Sequence, residues 1–179
     1  MSASNGNSES QTSSVGHSLS APDWLDEHYL TKQPEYEEML RWVGIQPNWH
    51  VLDAGCGTGG YLPLMTELVG KGGKVSAIDL APENVRGVKM RVERSQWRTP
   101  VMAYIGNILD LPYKNKSFDA VWCANTSQYL DDDEVYKMVS EFCRVVRSGG
   151  LIAIKEYDIT AMQYQPTTPT LFTHLFETV

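Results

Sequence analysis

Residues Val51–Gly60 read VLDAGCGTGG: an apolar run with an aspartate inside it, then four glycines within six positions. Gly55, Gly57 and Gly60 satisfy G-x-G-x-x-G, with which a strand turns sharply into a helix and lets its backbone approach a ligand. Alone, the same spacing also suits a purely structural turn. What decides between the two is the company it keeps, beginning with Asp53, two positions before the first glycine.

Outward from that turn the chain alternates. HVLDAG (50–55) predicts a buried strand and YLPLMTELVG a helix ending at Gly70. KVSAIDL (74–80) is a second strand, and Pro82 opens a helix with Val85, Val88 and Val92 on one face. VMAYIG (101–106) and FDAVWCA (118–124) are strands three and four. Asp131 or Asp132 caps a helix burying Val135, Met138, Val139, Phe142, Val145 and Val146; SGG ends it, and LIAIKEY (151–157) is strand five. Upstream, PEYEEMLRWVG predicts a helix starting at Pro34 and stopping at Gly44. Strands separated by helices or short crossovers imply a parallel sheet, and right-handed crossovers imply an α/β, doubly wound, Rossmann-like arrangement with helices on both faces. Such sheets bind ligands at the carboxyl ends of their strands, which selects the loops after residues 54, 79, 106 and 124.

Two of those ends carry acids. Asp79 closes strand two, 22 positions after Gly57, where a carboxylate suits a ribose diol; the plainer role is that of an acid near the start of the Pro82 helix. Asp53 separates the cofactors. A nicotinamide dinucleotide would set its pyrophosphate against this turn, and a poorly solvated carboxylate there repels it. A ligand with no phosphate and a positive charge is attracted instead, and S-adenosylmethionine, with its sulfonium and ammonium, is such a ligand. Asp53 as a simple capping residue of the turn is the alternative.

VLDAGCGTGG, AIDLAPENV, GNILDLPYKNKSFDAVWC and RVVRSGGLIAI together resemble the successive signature segments of class I S-adenosylmethionine-dependent methyltransferases, type 11 branch, over about residues 50–156. The resemblance implies a cofactor, S-adenosyl-L-methionine, and a small-molecule acceptor. It implies that Asp53 and the Gly55, Gly57 and Gly59 turn hold the methionine part, that Asp79 binds the ribose hydroxyls, and that Leu80 packs beside the adenine. Asn107, followed by Ile108, stands where the family commonly has aspartate; its amide oxygen can still accept from the adenine amino group. Asn125 falls near the transferring methyl, while Asp119 is read as structural. A nicotinamide-dependent oxidoreductase and a methyltransferase-like binding domain without turnover are the competing readings.

Methyl transfer from a sulfonium is an in-line displacement, for which alignment supplies most of the catalysis. A base is needed only where the nucleophile must lose a proton, and no catalytic residue is identified. His50 sits at the wrong end of strand one. His28, placed before the first helix, and His174 remain as candidates, each read first as surface or structural. Tyr29, Trp24 and Tyr129 are candidate pocket aromatics, read first as core, and Cys56 is a small residue that fits the turn.

Composition bounds the rest. With 15 Lys and Arg against 22 Asp and Glu, the net charge of −7 argues against nucleic acid or an anionic membrane as partner. Cys56, Cys123 and Cys143 lack metal-site or disulfide spacing and are read as free thiols, which together with the absence of an apolar run of about 20 residues suggests a cytoplasmic protein without a membrane span. No metal site is expected, and oligomeric state is open. Residues 1–22 are read as a disordered tail and 23–179 as the methyltransferase domain, core 50–157. After strand five, Pro166 and Pro169 precede an apolar stripe of Leu171, Phe172, Leu175 and Phe176. The family's last two strands are thus expected to be missing, as in a fragment of a longer enzyme.

Overall fold

The structure is a computed structural model in which residues 21–157 are described. The tail reading of residues 1–20, the Leu171–Phe176 stripe and His174 lie outside the described residues. Five parallel strands, β1 (His50–Ala54), β2 (Lys74–Asp79), β3 (Val101–Ile105), β4 (Phe118–Ala124) and β5 (Val146–Lys155), form one sheet in the order β3-β2-β1-β4-β5. This is the doubly wound, Rossmann-like sheet expected from the alternation. Asp53 pairs with Ala77 of β2 and Trp122 of β4, at the centre of the sheet.

Period-2 alternation divides β1 between two cores. Val51 packs with α1 (Pro22–Trp42), α2 (Leu62–Val69) and α3 (Pro82–Arg94), whereas Leu52 and Ala54 face α4 (Asp132–Val145). On that second face the link from β3 to β4 contains no helix. Ile108 and Leu111 from this link pack beside Met138 and Phe142 of α4. Asp131 starts α4 with a capping box: Glu134 N donates to its Oδ1 at 2.8 Å, and its own N–H donates to Glu134 Oε2 at 3.2 Å.

Two element boundaries differ from expectation. The first helix does not begin at Pro34 but at Pro22, so Pro34 and His28 both lie within α1. Pro22 occupies the first turn, where a missing N–H costs nothing. Pro34 removes the bond to the Leu30 carbonyl, and Leu30 is exposed, so water can satisfy that oxygen. Likewise Ser148-Gly149-Gly150 does not end α4. The helix stops at Val145, β5 starts at Val146, and the register jumps from Phe118↔Val146 to Ala120↔Leu151. Residues 147–150 therefore bulge opposite Asp119, whose carboxylate accepts from Arg147 Nε at 2.5 Å and from His50 N at 2.7 Å. Asp119 thereby has the structural role expected of it.

Candidate functional site

Strand order dictates what meets above the sheet. From one edge to the other the carboxyl ends carry Asn107, Asp79, Asp53, Asn125 and Tyr157, and all five line one cavity of about 460 Å³. Its floor is the glycine turn. Gly55 and Cys56 donate their N–H groups to the Ile78 carbonyl at 2.9 and 3.0 Å, pinning the turn to β2. Gly55, Gly57 and Gly59 all have positive φ, of 74°, 52° and 83°. At Gly55 a Cβ would also collide with the Thr126 side chain, so glycine is required there for room as well as conformation.

Over the turn lies α1. Leu25 approaches Gly57 and the Tyr29 ring covers Gly60. Asp26 latches the helix down: its Oδ1 accepts from Thr58 Oγ1 at 2.5 Å and from Arg91 Nη2 at 3.1 Å, and Arg91 Nε donates to the Thr58 carbonyl at 3.2 Å.

Asp53 is 2% exposed, and among the described residues its Oδ2 has no hydrogen-bond partner. Burial, with the charge of Asp79 adding to it, pushes its pKa up to about 8. Asp79 is different. Its Oδ2 accepts from Gly57 N at 2.8 Å, and its Oδ1 accepts from Ala81 N at 2.9 Å and Asn84 Nδ2 at 3.1 Å. Burial raises its pKa while these three bonds hold it down. A carboxylate offers about four acceptor positions, so one remains, on Oδ2. Leu80 is 48% exposed beside it, and buried Ile108 adds apolar surface to the lining.

The two asparagines are already engaged. Asn107 Oδ1 accepts from Leu109 N at 2.9 Å and closes its own turn. Asn125, at φ 54°, accepts from Lys155 Nζ on Oδ1 at 2.5 Å and donates through Nδ2 to the Tyr36 hydroxyl at 3.3 Å. His28 lines the cavity, stacked on Trp24 with ring centroids 4.6 Å apart. His50 is at the opposite end of the sheet, as its sequence position implied, bonded to Ser117 O and Ser76 Oγ.

Charge decides what such a cavity accepts. Among the described residues lining it there are three carboxylates, Asp53, Asp79 and Glu134, and no Lys or Arg. A pyrophosphate would find no counter-charge there, whereas the unpartnered Asp53 oxygen offers a cation a seat.

Residues 51–150 match the family described as methyltransferase domain. The chain belongs to that family. It is 29% identical over 138 residues to a 2-phytyl-1,4-naphtoquinone methyltransferase of Nostoc sp., covering 75% of this chain and 57% of the relative. It is also 29% identical over 133 residues to a demethylmenaquinone methyltransferase of Shouchella clausii, covering 74% and 53%. The chain thus spans about half the length of these curated relatives. A solved SAM dependent methyltransferase from Aquifex aeolicus superposes with a TM-score of 0.70 at 23% identity, covering 86% of this chain and 81% of that one, which establishes the shared fold.

The methyltransferase domain also contains groups that the sequence reading passed over. Tyr36, within the PEYEEMLRWVG helix, joins Tyr29, Tyr61 and Tyr157 in an aromatic wall of the cavity. Lys155 stands behind it, buried at the end of β5. The one available signal was the Lys155-x-Tyr157 spacing, which turns both side chains to one side of an extended segment.

Proposed function

We propose that this chain binds S-adenosyl-L-methionine and transfers its methyl group to a small, phosphate-free acceptor. The observation carrying this reading is the unpartnered Asp53 oxygen in a cavity whose described lining has acids and no basic side chain. Asp53 would take the ligand's ammonium, with the turn of Gly55, Gly57 and Gly59 against its amino-acid part. The free acceptor position of Asp79 would take a ribose hydroxyl. Leu80 and Ile108 would flank the adenine. Asn107 would meet the ring edge through its amide nitrogen, its oxygen being held by Leu109 N.

When bound, the cofactor supplies a methyl on a good neutral leaving group. The chain's own contribution is alignment, worth about 7–11 kcal/mol in well-oriented reactions, and exclusion of water by α1. In this reading the acceptor would lie on the β4–β5 side, beyond Asp53 and away from Asp79, given the strand order. The lining there is aromatic, from Tyr36, Tyr61 and Tyr157, which suits a flat, apolar molecule. Two relatives are named for 2-phytyl-1,4-naphtoquinone and demethylmenaquinone, in keeping with that shape. We place the domain at residues 23–179 and the protein in the cytoplasm, acting on no nucleic acid; no helix among the described residues is long and apolar enough to cross a membrane.

Calorimetric titration with S-adenosylhomocysteine and, separately, with NADH tests the reading. Binding of the first alone is expected. Binding of NADH alone would reinstate the oxidoreductase, and cofactor binding without methylated product from any quinol, sterol or amine acceptor would favour a binding domain.

A further inference from the structure

On the β4–β5 side of the cavity lies a polar chain to which the proposed cofactor contacts assign no role. Lys155 is 9% exposed, and among the described residues its Nζ hydrogen-bonds Asn125 Oδ1 while lying 4.1 and 3.8 Å from the ring centroids of Tyr36 and Tyr157. An ammonium can only donate. Asn125 must therefore turn its oxygen to Lys155 and its NH2 to Tyr36, which occupies one acceptor position of that hydroxyl. The Tyr36 hydroxyl also bonds His28 Nε2 at 2.8 Å and the Tyr157 hydroxyl. Of these two, an imidazole nitrogen is the better acceptor, so the Tyr36 proton points to Nε2 and Tyr157 donates to Tyr36. Lys155 thus fixes the Asn125 end of the chain and the acceptor strength of the imidazole fixes the other, which leaves the His28 proton on Nδ1.

We propose that His28 is the proton acceptor of the reaction, and that Lys155, acting through Asn125 and Tyr36, is the positioning residue that keeps its Nε2 free to accept. The proposal rests on the methyltransferase reading above. As the bond from acceptor atom to methyl forms, the methyl–sulfur bond breaks and its electron pair stays on sulfur. The proton lost by the acceptor enters at the Tyr157 hydroxyl, whose own proton passes to Tyr36 as that of Tyr36 passes to Nε2, and the resulting imidazolium then releases it to solvent. The groups facing His28 keep it neutral beforehand. Burial lowers its pKa, and so do Lys155 from β5 and Lys32 from α1; Tyr36 and Tyr157 face it with their hydroxyl groups. Trp24, on its other face, brings no charge.

Long-range proton–nitrogen correlation spectra of the full chain, labelled with ¹⁵N-histidine, read the tautomer directly. His28 is expected in the Nδ1–H form and neutral at pH 7. In Lys155→Met and in Asn125→Asp, whose residue tolerates the same φ, it is expected to drift to a mixture of tautomers. In parallel, methyl transfer to a panel of short-chain prenyl-naphthohydroquinones is measured. His28→Gln should lose about 100-fold or more in kcat, with KM and S-adenosylhomocysteine affinity unchanged. An Nε2–H tautomer in the wild type, a tautomer unmoved in both variants, or a His28→Gln kcat within threefold of wild type overturns the proposal while the methyltransferase reading stands. A wild-type chain that binds no S-adenosylhomocysteine, or that methylates none of the panel, overturns that reading and the proposal with it.

Discussion

The backbone N–H of Gly57 donates to Asp79 Oδ2 at 2.8 Å, tying the turn after β1 to the acid that ends β2. Asp79 is therefore a strut of the site as well as a candidate ribose ligand. Replacing it with alanine strands three donors, Gly57 N, Ala81 N and Asn84 Nδ2. Leaving a buried donor unsatisfied costs about 1–3 kcal/mol. Asp79→Asn retains one accepting oxygen and no charge. Urea unfolding is expected to show a clear loss for Asp79→Ala and a smaller one for Asp79→Asn, with S-adenosylhomocysteine binding weakened in both. Equal midpoints for Asp79→Ala and wild type would remove the strut role.

Asp53 should trade stability for binding. Its pKa, 3.8 in an open chain, is about 8 when folded, with burial as the first cause. Between those values the folded state holds a proton that the unfolded chain has released, so wild-type stability declines as pH rises from about 4 to about 8. Asp53→Asn lacks that slope. Its melting temperature should exceed that of wild type by a margin that widens with pH across this window. A ligand ammonium draws the carboxylate back to its charged form, so wild-type binding releases a proton and tightens as pH rises towards 8. In the asparagine variant that dependence disappears, and binding weakens by about 2–5 kcal/mol, as when one partner of a buried charge pair is removed. Scanning calorimetry and titration calorimetry over pH 5–9 measure both halves.

Much of this could be read locally. Strands β1, β2 and β4 are short apolar runs, and the acids that matter stand where those runs end, so topology alone carried Asp53 and Asp79 to one cavity. The boundaries that shifted are those where local chemistry gives an ambiguous signal. Pro34 looks like a helix start because the first turn is where proline costs least, and two glycines in Ser148–Gly150 look like a helix stop although they serve a bulge. The chain from Lys155 to His28 left only the Lys155-x-Tyr157 spacing as a local trace. Tyr36 and Tyr157 meet across 121 positions of sequence, and Asn125 contacts Lys155 only because β4 and β5 are neighbours. The same neighbour relation gives Asn125, which lines the cavity, its bond with Lys155.

Two glycines separate strain from collision. Gly55 and Gly70 both have positive φ, 74° and 64°, but a Cβ at Gly55 meets Thr126 while one at Gly70 meets nothing within 4 Å among the described residues. Gly70→Ala should therefore cost only its backbone strain, at φ 64° and ψ −175°, about 1–3 kcal/mol. Gly55→Ala adds displacement of Thr126, whose N–H is held by Glu156 Oε1 at 2.7 Å. The larger loss of stability and the loss of S-adenosylhomocysteine binding are both expected at Gly55 alone. Adding Thr126→Ser, which removes the Cγ2 methyl, should restore part of the stability. Indistinguishable denaturation midpoints for Gly55→Ala and Gly70→Ala would show that Thr126 yields freely.

His50, at the far end of the sheet, should make the fold sensitive to acid without touching the site. Its Nδ1 donates to Ser117 O at 3.0 Å, its Nε2 accepts from Ser76 Oγ at 2.9 Å, and its ring packs on Phe118. Burial first, then Lys74, pushes its pKa down to about 4, against the opposing pull of Ser117 O and Asp119. Below about 6.5 the unfolded chain takes up a proton at this position that the folded chain refuses until about pH 4. The stability contributed by neutral His50 is thus complete above pH 6.5 and is lost as pH falls towards 4. His50→Gln keeps polar atoms there without the titration. Urea unfolding of both proteins at pH 4.5, 5.5, 6.5 and 7.5 should show wild type losing more stability on acidification than the variant. The Asp53 contribution, which runs the other way, cancels in the difference between the two. Parallel curves would mean that His50 is wet enough in the folded protein to titrate as it does in the unfolded chain.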